Sequence, residues 1–256
     1  GSTGMIFQQI APVLAFGEDK SEIILKGGTH TAWAPPVDYL EKVFIPTVFN
    51  MGFHAKLEIT SYGWYPMGQG EVIATINPIK GTLSPVNLIE RGELKRIIGI
   101  SVVCNLPLSI AERQKERAWG KLKDHKLASE IKCISAKGMG RGTSILLVAE
   151  FENSFAGFSA LGKPGKPAEE VSDDAVAELL KYFKSGMCIE KHLSDQLTLY
   201  MALAEGKSIF TVSEISNHLL TNIWVTEQFL PVKFEIKGNR GEQGEVYVEG
   251  IGFNRS

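Results

Sequence analysis

Hydrophobic residues recur along this chain with two alternating periods, one typical of strands and the other of helices. The segment 207–212 is rich in β-branched and aromatic residues, which predicts a strand. Apolar residues between positions 219 and 229 fall near helical spacing, which predicts a helix. Ser216 or Asn217 can cap that helix by accepting a backbone N–H. Because predicted strands and helices alternate in this way along the chain, we predict an α+β or α/β protein.

The order of elements near the N-terminus returns near the C-terminus as an internal repeat. Residues 55–59 and 232–236 both alternate apolar and polar side chains, and 69–72 and 243–246 both read Gln-Gly-Glu-Val. The repeated unit is predicted to be helix, strand, loop, helix, strand, strand. Since each unit alone leaves one apolar face uncovered, the two should pack together into one core.

The residues between the two copies lack this pattern. A strand is predicted over 96–106, and an amphipathic helix with one charged face over 109–123. We therefore predict a large domain made of residues 1–90 and 187–256, interrupted by a smaller α/β domain at 91–186.

Composition argues against several classes of protein. The formal net charge is −2, so there is no global basic field of the kind that attracts nucleic acid. A local basic groove is still compatible with this net charge. Cys104, Cys133 and Cys188 are odd in number and lack CxxC spacing, which argues against a disulfide framework or structural zinc. The apolar runs are too short for a membrane span and no signal peptide opens the chain. We expect a cytoplasmic protein with no membrane contact.

His218 is the first candidate for chemistry. It lies near the N-terminus of the predicted helix, where backbone amides and the macrodipole attract anions such as phosphate. A neutral imidazole there can act as a nucleophile, a base or a phosphate ligand. The alternative is a histidine that only hydrogen-bonds within a turn. His30 follows the first strand of the other copy in a similar position.

Two further groups of residues could bind a nucleotide. Asp195 and Gln196 can together read an amino group and a ring nitrogen, or a ribose hydroxyl, although acidic residues also favour helix N-termini without any ligand. The loop 27–31 precedes Pro35 and Pro36, and proline offers a flat surface for a base but is also a common helix starter. Phosphate-binding P-loops, dinucleotide fingerprints, zinc-protease motifs and nucleophile elbows are absent from the sequence.

Together these motifs resemble the RNA 3′-terminal phosphate cyclase family. Residues 216–222 (SNHLLTN), preceded by 192–197 (HLSDQL), resemble the family's C-terminal signature. Residues 27–38 and 63–70 resemble its central signatures, and the resemblance runs over essentially the whole chain. It implies a large domain of repeated β/α units with an inserted α/β domain of thioredoxin-like type, in agreement with the repeat and insert described above.

The resemblance implies an ATP-dependent, ligase-type enzyme that converts an RNA 3′-terminal phosphate into a 2′,3′-cyclic phosphate. His218 would attack the α-phosphate of ATP and form a covalent histidyl-AMP. The AMP would pass to the RNA 3′-phosphate, and the neighbouring 2′-hydroxyl would then close the ring and release AMP. ATP and Mg²⁺ or Mn²⁺ are the implied cofactors, RNA with a 3′-phosphate end is the implied partner, and assembly into a homo-oligomer stays open.

The resemblance also assigns the nucleotide site. By the match, Asp195 and Gln196 contact the nucleotide, Pro35 lies against adenine with His192 on the other face, and Gln8 lines the site. No metal ligand is assigned within this sequence. Imidazole suits the proposed step because it is a good nucleophile at neutral pH and a good leaving group from phosphorus.

The sequence departs from the family pattern in three places. The family's chain begins before Gly1, and its earlier part holds another repeat, a glycine-rich motif, an acidic metal ligand and an arginine cluster, so we expect a fragment or a truncated gene product. Gln69 stands where the signature has glycine, and Tyr62 where it has a basic residue.

The alternative function is a non-catalytic relative that binds RNA or joins an RNA-processing assembly. Such relatives lack the nucleophilic histidine, so His218 favours the enzyme. A phosphohistidine phosphatase would need an Arg-His-Gly cluster, which is absent.

Overall fold

The computed structural model describes residues 1–255, and two copies of one α/β unit make up most of this part of the chain. The first copy consists of α1 (Thr3–Ala15), β1 (Ser21–Gly27), α2 (Val37–Tyr39), a π-helical segment (Leu40–Phe44), α3 (Ile45–Phe49), β2 (Ala55–Ser61) and β3 (Gly70–Ile76). The second copy consists of α6 (Lys191–Leu203), β9 (Glu205–Val212), α7 (Asn217–Phe229), β10 (Phe234–Lys237) and β11 (Gly244–Ile251).

The sheets of the two copies have the same topology. In the first, β3 lies between β1 and β2 and is antiparallel to both. In the second, β11 lies between β9 and β10 and is again antiparallel to both, while a short β4 (Asn87–Leu88) adds in parallel beside β9. The predicted internal repeat is therefore confirmed by the strand order.

The two copies share one hydrophobic core, as predicted. Phe7 of α1 and Leu25 of β1 belong to the same buried cluster as Leu197 of α6, Phe210 of β9 and Val246 of β11. Burial of apolar side chains is the main stabilising term in folding, so neither copy is expected to be stable without the other.

Apolar residues between Pro36 and Gly52 recur at helical spacing and predict a helix, in which Pro46 predicts a kink. In the structure this helix is interrupted in its middle. Its central segment, Leu40–Phe44, winds as a π-helix directly before Pro46. Proline lacks an N–H group and its ring would clash with the carbonyl four residues earlier, and a wider turn relieves that clash. The disturbance predicted at Pro46 is confirmed, but it takes the form of a π-helical turn instead of a simple kink.

A third sheet lies between the two copies along the chain. Its elements are β5 (Leu94–Cys104), α4 (Leu108–Asp124), β6 (Ser129–Ala136), β7 (Gly142–Phe151), β8 (Phe155–Leu161) and α5 (Ala168–Ser185). The strand order is β6-β5-β7-β8, with only the β5–β6 pair parallel. Helices α4 and α5 pack together against one face of the sheet. The other face joins the core of the repeats through Leu146 and Val148. The boundaries at 91 and 186 and the thioredoxin-like type stay predictions.

Gln69 provides a test of local strain. It has a φ of 57°, in the left-handed region that disfavours side chains, which explains why glycine suits this position. Its counterpart in the other repeat, Gln243, is also exposed and is not among the residues with positive φ. We expect Gln69→Gly to be more stable than Gln243→Gly by about 1–2 kcal/mol, because only the first change relieves strain. Urea unfolding measures this difference, and equal stabilities would contradict it.

Candidate active site

The start of α7 holds His218 at the mouth of a cleft. Ser216 caps the helix, and its Oγ accepts a hydrogen bond from the backbone N–H of Leu219 at 3.1 Å. Buried Leu219 and Ile223 anchor α7 to the core, so the opposite side of the helix start faces outward. His218 is consequently exposed, next to the amide groups of a helix N-terminus. The predicted cap is confirmed, with Ser216 as the capping residue.

The start of α6 is fixed by a buried carboxylate. Glu190 accepts hydrogen bonds from the backbone N–H groups of His192 at 2.6 Å and Leu193 at 2.8 Å, and also from the hydroxyl of Tyr39. Burial and the charge of Glu190 raise the pKa of Tyr39 well above its usual value, so the phenol stays a donor. Because Tyr39 follows Pro35 closely, this bond ties the proline loop of the first repeat to α6 of the second.

A cleft of about 1240 Å³ opens between the two repeats and the third sheet. All six site residues predicted from the sequence line it: Gln8, Pro35, His192, Asp195, Gln196 and His218. Phe158 of β8 and Lys184 of α5 line it from the side of the third sheet. The fold thus brings residues that are far apart in the sequence into one cavity, while their individual roles stay predictions.

The contact between α6 and α7 places Asp195 beside the helix that carries His218. The side-chain amide of Asn222 donates to the backbone carbonyl of Asp195 at 3.1 Å and to its Oδ2 at 3.4 Å. Asn222 lies four residues after His218, and residues with that spacing share one face of a helix. The Asp195 carboxyl and the His218 imidazole therefore face the same cleft.

His30 and His218 lie in different environments, although they hold similar positions in the two copies of the repeat. Its ring is buried, with Nε2 at 3.1 Å from Oδ2 of Asp38 and Nδ1 at 2.9 Å from Oγ1 of Thr29. It also packs against Trp64, with ring centroids 4.6 Å apart. With both nitrogens engaged, His30 holds the loop before Pro35 in place and is not among the residues lining the cleft.

Comparison with known proteins identifies the family. The family model described as RNA 3′-terminal phosphate cyclase matches residues 1–236. Curated relatives of that name include one from Gloeothece citriformis, 40% identical over 231 residues, and one from Pyrobaculum neutrophilum, 37% identical over 255 residues. A third, from Methylococcus capsulatus, is 35% identical over 250 residues. This chain belongs to the RNA 3′-terminal phosphate cyclase family.

The match covers nearly all of this cyclase-family chain but only part of each relative. The three alignments cover 90%, 99% and 98% of the chain, and 65%, 73% and 69% of the relatives in the same order. The resemblance found in the motifs is confirmed, and the names of the relatives do not favour the non-catalytic alternative. None of the helices within residues 1–255 is long and apolar enough to cross a membrane.

Among the acidic side chains that line the cleft, Asp195 has the pKa that is raised most above its usual value. Its pKa is raised to about 6, chiefly by burial and to a smaller extent by the charge of Glu190, while His192 and His218 oppose the rise. The carboxyl can therefore accept or donate a hydrogen bond near neutral pH. Such shifted groups cluster at functional sites.

The raised pKa of Asp195 predicts how stability depends on pH. Because the unfolded carboxyl loses its proton near 3.8 and the folded one near 6, Asp195 destabilises the fold progressively as pH rises through this range. Asp195→Asn should therefore stabilise the protein by about 1–2 kcal/mol more at pH 7.5 than at pH 4.5, after allowance for partial exposure. Urea unfolding at both pH values measures this difference. Asp124→Asn, at the exposed end of α4, is the control. An equal gain at both pH values would contradict the shift.

Proposed function

We propose that this protein is an ATP-dependent RNA 3′-terminal phosphate cyclase that works through a covalent histidyl-AMP on His218. The observation that supports it best is the single cleft lined by an exposed imidazole, the Asp195–Gln196 pair and the diproline turn. Family membership supports the same reaction.

The first step requires a bare, neutral imidazole beside the α-phosphate. His218 is exposed on the cleft, at the N-terminus of α7. One ring nitrogen attacks the α-phosphorus, so that a P–N bond forms and the P–O bond to pyrophosphate breaks. Charge that builds up on the phosphate oxygens is stabilised by the amide groups and dipole of the helix N-terminus.

The nucleotide is held between walls from the two repeats. Adenine lies between Pro35 and His192, and the hydrogen bond from Tyr39 to Glu190 fixes the spacing of these walls. The Asp195 carboxyl binds a ribose hydroxyl, and Gln8 lines the same site from α1. A preformed slot of this kind lowers the entropy that is lost when a flat base binds.

The later steps use the RNA itself as the nucleophile. An oxygen of the RNA 3′-phosphate attacks the phosphorus of the histidyl-AMP, and the imidazole of His218 leaves as the P–N bond breaks. The 2′-hydroxyl then loses its proton and attacks the RNA phosphorus, so that AMP leaves and a 2′,3′-cyclic phosphate forms. Lys184, exposed on the rim of the cleft, provides a positive charge toward the RNA phosphates.

The proposed steps do not use a metal ion bound by the residues of the cleft. Within residues 1–255 there is no group of three or more His, Cys, Asp or Glu side chains that could hold a metal ion. Mg²⁺ or Mn²⁺ would neutralise charge on the triphosphate, and the steps above rest on the residues of the cleft.

The reaction is tested with an RNA oligonucleotide that ends in a 3′-phosphate, together with ATP and Mg²⁺ or Mn²⁺. We expect an end that resists phosphatase and is a 2′,3′-cyclic phosphate by mass spectrometry, with one AMP released per ring. An ATP analogue with a methylene group between the α- and β-phosphates should give no product, while an analogue blocked between the β- and γ-phosphates should support the reaction. Product from the first analogue, or none from ATP, would refute the proposed function.

A further inference from the structure

Two polar atoms on α6 have no hydrogen-bond partner although both are buried. They are Oε1 of Gln196 and the hydroxyl oxygen of Tyr200. An unpaired buried polar group costs about 1–3 kcal/mol, so native proteins rarely keep one without a reason. These residues lie four positions apart, which puts both on one face of the helix, and both line the cleft.

The Tyr200 hydroxyl cannot turn away to find water. The residue is 3% exposed, and its ring is held edge-on by Phe44 and Phe53, with centroids 5.5 and 5.2 Å away. Burial raises the pKa of the phenol far above its usual value, so it remains a protonated donor. The packing therefore holds a fixed donor at the inner wall of the cleft, one helical turn from the unpaired amide oxygen of Gln196.

We infer that Tyr200 is a specificity-determining residue that donates a hydrogen bond to a ring nitrogen of the adenine base while Gln196 Oε1 accepts from its amino group. This inference rests on the proposed function and adds a residue to it. Adenine presents its 6-amino donor between two acceptors, N1 and N7, so a neighbouring acceptor and donor on the protein match either edge. Both orphan groups gain partners when the nucleotide binds, which explains why they stay unpaired in its absence.

The variant Tyr200→Phe distinguishes a role of the hydroxyl in base recognition from a role in stabilising the fold. Titration calorimetry with ATP and Mg²⁺ should show about tenfold weaker binding, the usual cost of one hydrogen bond. Unfolding by urea should show equal or greater stability, because the variant loses a hydroxyl that has no partner in the free protein. Tyr247→Phe, on β11 and not among the residues that line the cleft, should change neither quantity.

Nucleotide analogues sharpen the test. Wild type should bind either 1-deaza-ATP or 7-deaza-ATP about tenfold more weakly than ATP, and Tyr200→Phe should show little of that loss. Similarly, Gln196→Met should bind ATP and the triphosphate of purine riboside, which lacks the amino group, with nearly equal affinity.

The outcomes distinguish the two proposals. If wild type binds no adenine nucleotide, the proposed function fails. If it binds ATP but Tyr200→Phe keeps the full affinity, or keeps the full loss for both deaza analogues, only the inference about Tyr200 is overturned. A fall in stability with unchanged affinity would make the hydroxyl structural.

Discussion

Replacing His218 with alanine is expected to abolish transfer of AMP from ATP to the protein. Wild type incubated with ATP labelled in the α-phosphate, plus Mg²⁺ or Mn²⁺, should retain label through denaturing electrophoresis. The bond should break in acid and survive alkali, as a phosphorus–nitrogen bond does. The variant should lose label by at least about a thousandfold, because loss of a nucleophile removes the covalent step altogether.

The histidine variant should fold normally, since His218 is exposed and the helix is anchored by Leu219 and Ile223. Circular dichroism and urea unfolding check this. His125→Ala, at the exposed C-terminal end of α4, is the matched control and should label like wild type. Undiminished label on His218→Ala would exclude it as the nucleophile.

Removing the Glu190 carboxylate is expected to have the largest effect on stability. Its two backbone contacts cap α6, and its third partner is the Tyr39 hydroxyl. Glu190→Ala removes the cap and leaves several buried polar groups unpaired, for a loss of about 3 kcal/mol in the free energy of unfolding. ATP affinity should also fall, because the two walls of the proposed adenine site are no longer tied together.

A milder change isolates the link between the repeats. Tyr39→Phe removes the hydroxyl but keeps the cap, so we expect a loss of about 1 kcal/mol with a clear fall in ATP affinity. Glu170→Ala, an exposed acid in the first turn of α5, is the control and should change stability by less than about 0.5 kcal/mol. A Glu190→Ala variant as stable as wild type would contradict the role given to this carboxylate.

Local features of the fold were predictable because they depend on residues close together in the sequence. The strand at Glu205–Val212, the cap at Ser216 and the repeat of β-strands all follow from periodicity and side-chain chemistry. The π-helical form of Leu40–Phe44 was not predictable, because proline spacing gives the place of a disturbance but not its shape.

Residues of the candidate site were predictable only where they belong to sequence motifs. The resemblance supplied His218, Asp195 and Gln196. No motif signals the contact of Tyr39 with Glu190, because these residues are 151 positions apart and meet only through the fold. The unpaired hydroxyl of Tyr200 depends in the same way on tertiary packing. The structural role of His30 also depends on the folded chain, because only there do Thr29 and Asp38 engage both of its ring nitrogens.

The most direct test is to locate the adenylate on the protein itself. After reaction with ATP, the protein would be digested at neutral to alkaline pH and its peptides sequenced by tandem mass spectrometry. We predict one AMP per chain, on the peptide that spans the start of α7, with the mass increase at His218. AMP carried instead by a lysine, or by another histidine such as His192, would contradict a nucleophile at this helix terminus.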